Sequence, residues 1–296
     1  MCGKDKSTGA SFEHRRGWVE DKLLALAHVF AIDVAAFAVM SNHTHLVLFV
    51  DEKLAQSWSV EEVLNQWHQL FKGTLLTQQY CRGDQLIEPL MQVVNDTAEV
   101  YRQRLMDISW FMRILNEDIA RKANKEDNCT GRFWEGRFKS QALLDEAAVI
   151  ACMAYVDLNP VRAAMAKTPE TSNHTSIQQR IKAARQGNQP STLQPFIGNP
   201  RQNSLKGLAF ELSDYIQLVD LTGRCIREDK RGFIEANQLD ILTRLNISPE
   251  NWLTLTTAFR QCFHGAVGGI DALSDFSQHQ HLKNRPNLST CTRLFG

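Results

Sequence analysis

A chain of 296 residues is long enough to bury a full core, as one large domain or two moderate ones. Its 43% hydrophobic and 22% charged residues are the balance of a soluble globular protein, and no apolar run approaches the roughly 18–20 residues of a membrane-spanning helix, which excludes one. The formal net charge of zero excludes nucleic-acid binding that relies on bulk positive charge, so any such contact must rest on local basic segments and a shaped site.

The N-terminal Met-Cys-Gly-Lys-Asp-Lys-Ser is polar and lacks the apolar centre of a signal peptide, so the cytoplasm is the expected location. Residues 12–30 carry Trp18, Leu23, Leu26, Ala27 and Phe30 at helical spacing and predict an amphipathic helix. Over 33–50 the period changes. Val34, Ala36 and Ala38 alternate with small or apolar residues, and Leu46 to Val50 is a β-prone run, so two strands are expected, joined by Met40-Ser41-Asn42 and ended by Asp51. A helix over 59–72 starts on Ser59 with Glu62 three residues on, the capping-box spacing. The 80–97 stretch, with Gly83, Asp84 and Pro89, reads as irregular. A long helix follows at about 98–124, with Leu105, Ile108, Met112, Leu115 and Ile119 on one face.

Residues 131–144 suit a strand, and Asp145 then caps a helix at about 146–158. Asn159-Pro160 has the form of the cap and first residue of a short helix from Val161 to Ala166. The polar stretch 183–205 reads as a linker, and 206–296 as mostly helical, including Leu208–Leu221 and Glu250–Phe263. The segment 220–232 is rich in charge and turn formers, in keeping with either a DNA-reading element or a solvated loop.

The seven cysteines are odd in number, scattered and without a Cys-x-x-Cys pair, which argues against a disulfide framework and against a structural zinc cluster. Histidines offer more. His43 and His45 stand two apart at the start of a strand, where both imidazoles point to one face and can converge on one ion. The same pair also suits a turn or an ordinary surface. His279 and His281 have the same spacing in a polar tail and read as solvated. Tyr155 and Asn159 are four apart and share a helix face, although in isolation they equally suit a core aromatic and a helix cap.

Together these segments are specific. Met-Ser-Asn-His-Thr-His-Leu-Val around His43 and His45 resembles the metal-binding motif of the HUH single-strand DNA transposases. Gly-Arg-Phe-Trp-Glu-Gly-Arg-Phe, followed by Tyr155-Val-Asp-Leu-Asn159-Pro160-Val161-Arg162, resembles the end of that domain in the insertion-sequence-200-like and REP-associated tyrosine transposases. Order and spacing agree over about residues 15–180.

The resemblance implies an α+β fold, an antiparallel or mixed sheet with helices packed on it in the ferredoxin-like HUH arrangement. By this resemblance the strand with which relatives begin is expected to be missing, the sequence starting too late to contain it. The expected domains are a catalytic one over 1–182 with a helical insertion at about 52–125, the 183–205 linker and a helical C-terminal domain over 206–296. The resemblance further implies Tyr155 as nucleophile, His43, His45 and Asn159 as ligands of Mg2+ or Mn2+, and a single-stranded or hairpin-bearing DNA substrate. Arg132, Arg137, Lys139 and Arg162 become candidates for phosphate contacts, and Trp134 and Phe138 for base stacking, or equally for core packing. Cleavage would leave a 5′-phosphotyrosine and a free 3′ hydroxyl. The chain would act as a monomer or a homodimer, since some relatives complete their sites between subunits. The competing expectations are a degenerate transposase that binds DNA without cutting, and a metal-dependent nuclease that uses water.

Overall fold

The computed structural model describes residues 1–4, 9–198, 206–227, 240–282 and 284–295. It is an α+β protein with a single two-stranded sheet among the described residues. No helix among those residues is long and apolar enough to cross a membrane. The chain divides into two compact units, one of Met1–Val34 with Leu48–Arg137 and one of Ala35–Val47 with Phe138–Gly296.

In the first unit, α1 (Arg15–Val29) buries Val19, Leu23, Leu26 and Val29, the i, i+4, i+7, i+10 stripe of a helix with one apolar face. The hairpin strands β1 (Ile32–Val39) and β2 (Thr44–Val50) run through both units. Helices α2 (Glu52–Ser57), α3 (Val60–His68), α4 (Leu75–Cys81), α5 (Glu88–Leu105) and α6 (Ile108–Glu126) complete the unit. Buried Arg15 pairs with Glu126 and Asp127 at the far end of α6, while Lys22 pairs with Asp118, so α1 and α6 run antiparallel. The Ser59–Glu62 capping box at the start of α3 is present as expected.

Three expectations for residues 80–144 need correction. The stretch 80–97 is mostly helical: Thr74 and Thr77 cap α4, and Pro89 sits in the first turn of α5, where a missing N–H costs nothing. The single helix at 98–124 is two helices, because the Asp107 side chain accepts the Ser109 N–H at 2.5 Å and restarts the backbone as a cap. The strand at 131–144 is absent but for a parallel bridge between Leu143 and Val267. Instead, the Arg132 guanidinium takes the carbonyls of Trp134 and Glu135, tying the backbone to its own side chain rather than to a neighbouring strand.

The second unit holds α7 (Glu146–Asp157), capped by Asp145 as expected, and α8 (Asn159–Arg162). The short helix begins earlier than its sequence suggests. Leu158 keeps helical angles, and Ala164, in the left-handed region at φ 52°, ends the turn. Then come α9 (Ser176–Ala184), α10 (Leu212–Ile226), α11 (Asp240–Arg244), α12 (Pro249–Cys262), α13 (Ile270–His279) and α14 (Leu288–Phe295).

One hydrophobic core joins Ala36 and Val47 of the hairpin, Ala151 and Ala154 of α7, Leu218 of α10 and Trp252 and Leu255 of α12. The helices beyond 206, expected as a separate domain, are therefore packed into the core of α7. The described part of the expected linker is also anchored: Leu193 and Phe196 are buried, and the Gln189 side chain bonds the Phe196 backbone at both N–H and C=O. Its remainder, 199–205, lies outside the described residues, as does 228–232 of the segment 220–232, whose described start belongs to α10.

Candidate functional site

His43, His45, Tyr155, Arg162, Phe259 and Arg260 all belong to the second unit. The Met40 N–H donates to the His43 carbonyl at 2.9 Å and closes the β1–β2 turn. His43 therefore stands at the turn's exit and His45 one pleat into β2, on the same face. Their rings meet nearly at right angles, 4.7 Å between centroids. The Asn42 side-chain oxygen lies 2.6 Å from His43 Nδ1 and accepts its proton, which leaves the Nε2 lone pair free.

Helix α7 delivers Tyr155. Its Ala148, Ala151 and Ala154 are fully buried, so small side chains let the helix sit close to the core while Tyr155 stays half-buried. The phenol ring lies 5.9 Å from that of His45, at 79°. Phe259 of α12 lies 5.9 Å from the same ring. The Arg162 guanidinium sits over it at 4.0 Å, a cation–π contact. Arg162 also donates to the carbonyls of Tyr155 and Thr256, each at 2.8 Å, and so ties α8 to α12.

The Thr256 carbonyl lies beside a kink. Helix α12 breaks its angles at Ala258 (φ −126°, ψ 19°), next to three threonines whose hydroxyls donate back to carbonyls of the preceding turn: Thr254 to Glu250, Thr256 to Trp252 and Thr257 to Leu253. Such back-bonding bends helices.

Electrostatics favours an anion. Burial first, then the charges of His43, Arg162 and Arg260, push the His45 imidazole down to about 4. Burial and Arg260 lower His43 in the same direction. Both rings are therefore neutral at pH 7. Burial also pulls the Arg162 guanidinium below its usual value, with Tyr155 acting against the shift. Neither Arg162 nor Arg260 has a carboxylate partner among the described residues, so two guanidinium charges stand near neutral imidazoles and a phenol.

Behind Tyr155, α7 is locked by a buried polar network. Asp157, turned from the Tyr155 face, accepts from Ser176 Oγ at 2.5 Å, the Ile177 N–H at 3.0 Å and the Tyr215 hydroxyl at 2.6 Å. Burial raises its carboxyl to about 6 against the opposing pull of these bonds and of Arg180. Arg180 in turn donates to the carbonyls of Ala35 and Gln194, so one network pins α7, α9, α10 and β1.

Comparisons with known families, curated proteins and solved structures return no match to this chain.

Of the residues singled out from sequence, His43, His45, Tyr155 and Arg162 come together. Asn159 is buried one turn beyond Tyr155 and its Nδ2 has no hydrogen-bond partner; no hydrogen bond links it to either histidine. Arg132, Trp134 and Arg137 belong to the other unit. The Trp134 indole N–H donates to the Asn116 carbonyl at 2.8 Å, an anchoring contact within that unit, while Arg137 is exposed. Lys139 and Phe138 are exposed in the second unit. His279 ends α13 and is exposed with His281, as expected of solvated residues, although the chain there is helical rather than a tail.

Sequence reasoning missed Phe259, Arg260 and the Thr256 carbonyl. The α12 helix itself was legible, but no local signal says which of its faces meets α7.

No group of three His, Cys, Asp or Glu side chains fit to hold a metal ion occurs among the described residues. The available donor set is two neutral imidazoles, one with its second nitrogen already engaged, and the Asn159 amide. Such neutral nitrogen-rich donors fit a first-row transition ion such as Mn2+ better than Mg2+, which prefers an oxygen shell.

Proposed function

We propose that this chain is a single-stranded DNA strand-transferase of the HUH type, with Tyr155 as its nucleophile. The observation that carries the reading is the meeting of His43, His45 and Tyr155, which the sequence separates by more than a hundred residues. The ferredoxin-like HUH fold belongs to the same proposal: the β1–β2 hairpin bearing the histidines and the α7 helix bearing the tyrosine, joined in one core, are the parts that support it.

In this reading a DNA phosphodiester enters beside Tyr155. Arg162 and Arg260 offset the charge on its non-bridging oxygens, an effect strengthened where water is excluded. The phenol oxygen attacks phosphorus in line; the O–P bond forms as the P–O3′ bond breaks, and the phenolic proton ends on the departing 3′ oxygen or on solvent. A neutral phenol is a weak nucleophile, so attack relies on placement. The half-buried ring, held between Phe259, His45 and Arg162, has that restraint. The product is a 5′-phosphotyrosine, which keeps the bond energy for rejoining the strand to another 3′ hydroxyl. His43, His45 and Asn159 would hold the divalent cation, which when bound supplies Lewis-acid stabilisation of phosphate charge.

The test is incubation with 5′- and 3′-labelled single-stranded DNA and Mn2+, followed by a denaturing gel. A covalent adduct that disappears in Tyr155→Phe is the expected result. Cleavage without an adduct would point to a water-using nuclease, and binding without cleavage to a degenerate, DNA-holding protein; either outcome removes Tyr155 from the chemistry.

A further inference from the structure

The first unit, which holds neither His43 nor His45, carries an aromatic cluster framed by arginines. Trp67 of α3 and Tyr101 of α5 are buried and stacked, 4.3 Å apart at 13°. On this base stand two rings that reach the surface. Trp110 of α6 meets Trp67 edge-on at 5.6 Å, and Phe71, 39% exposed, meets Trp110 edge-on at 6.3 Å. Burying Phe71 would be the favourable course for an apolar ring.

Two cations frame these rings. The Arg104 guanidinium lies 4.5 Å from the Trp110 centroid and 5.5 Å from that of Trp67, and Arg113 lies 4.9 Å from Trp110. Neither has a carboxylate partner among the described residues, whereas Arg15, Arg16, Arg82, Arg102 and Arg121 of the same unit have one; Arg132 and Arg137 also lack one, but among the described residues neither makes a cation–π contact. Unpaired guanidinium groups beside surface aromatic rings complement a ligand that is polyanionic and offers flat π faces. Duplex DNA hides its base faces in the stack and an acidic peptide has few, so a single strand is the ligand that satisfies both demands.

We infer that the Phe71–Trp110 surface, with Arg104 and Arg113, is a stacking platform for single-stranded DNA, separate from Tyr155. The choice of DNA over RNA rests on the strand-transferase reading; the complementarity to a single strand does not.

The experiment uses the full chain, a fluorescein-labelled 20-residue oligothymidylate and EDTA, so that binding is read by anisotropy without divalent cation. Phe71→Ala is expected to weaken binding about tenfold, since an exposed ring loses one stacked base. Arg113→Ala, at an exposed position, should flatten the log–log dependence on salt by about 0.7 for the lost phosphate contact. Saturating oligothymidylate should also quench tryptophan fluorescence through Trp110. A duplex of the same length should bind more weakly. Unchanged affinity in the double variant Phe71→Ala/Arg113→Ala, with its circular dichroism intact, would overturn the platform, as would a duplex bound as tightly as the single strand. Tighter binding of oligouridylate would overturn the assignment to DNA. The adduct assay on the same proteins separates the two readings. An adduct from the double variant with unaltered binding removes the platform alone, and platform-dependent binding with no adduct on any DNA removes only the strand-transferase.

Discussion

Asp157 offers the sharpest test of how the Tyr155 helix is held, because two replacements of one side chain should behave in opposite ways. In Asp157→Ala the acceptor disappears. Ser176 keeps a partner, since its hydroxyl also reaches the Phe37 carbonyl at 3.2 Å, but the Tyr215 hydroxyl and the Ile177 N–H are orphaned. At about 1–3 kcal/mol for each buried unpaired donor, the loss is about 4 kcal/mol, a large share of the stability of an ordinary domain. Asp157→Asn keeps an acceptor oxygen for Ser176 and Ile177, and its amide N–H can donate to the Tyr215 oxygen.

The Asn variant also removes a titration. The Asp157 carboxyl sits at about 6 in the fold against an ordinary value of 3.8, so the folded protein holds that proton longer than the unfolded chain. Stability from the protonated group is full below 3.8 and is lost as pH rises through 6. The difference corresponds to roughly 3 kcal/mol at about 1.36 kcal/mol per pH unit. Between pH 3.5 and 7.5 the stability of Asp157→Asn relative to the parent should therefore rise by about 3 kcal/mol. Five of the six tryptophans lie in the other unit, so hydrogen exchange of the 146–162 peptide across a urea series is the suitable readout. A difference that stays flat with pH, or an Ala variant as stable as the Asn variant, would refute the network's role.

His45 should act in the opposite sense: its folded value is depressed below 6.5, so its contribution is present above 6.5 and lost as pH falls towards 4, and His45→Gln should flatten the acid limb of the same exchange experiment. Arg162→Lys keeps the charge but loses the planar group that spans two carbonyls and covers the ring; a loss of about 1–3 kcal/mol in urea unfolding is expected. Gly207→Ala places a Cβ 2.6 Å from the Pro195 carbonyl oxygen and should lower stability by about 1–3 kcal/mol, seen as a lower thermal midpoint.

What was legible from sequence follows a physical line. The β1–β2 turn, the Ser59 capping box and the Asp145 cap depend on residues within four positions of one another, and their signals survive folding. The His-Thr-His spacing likewise puts both rings on one face whatever surrounds the strand. The strand expected at 131–144 failed because alternation says nothing of a partner, and the Arg132 side chain satisfied the backbone locally. The break at Asp107 was overlooked because apolar periodicity continues across it while the cap interrupts the hydrogen bonds. Phe259 and Arg260 were unreadable: their role depends on a helix docking about a hundred residues from Tyr155.

That docking sets an order of events during synthesis. The histidines emerge first, Tyr155 next, and the helix that supplies Phe259 and receives the Arg162 guanidinium only after a further hundred or so residues. At about 5–20 residues per second, that last stretch takes about 5–20 seconds. Through this interval the nascent chain carries its phenol without the walls that hold it, so the Tyr155 pocket is finished only once α12 has followed.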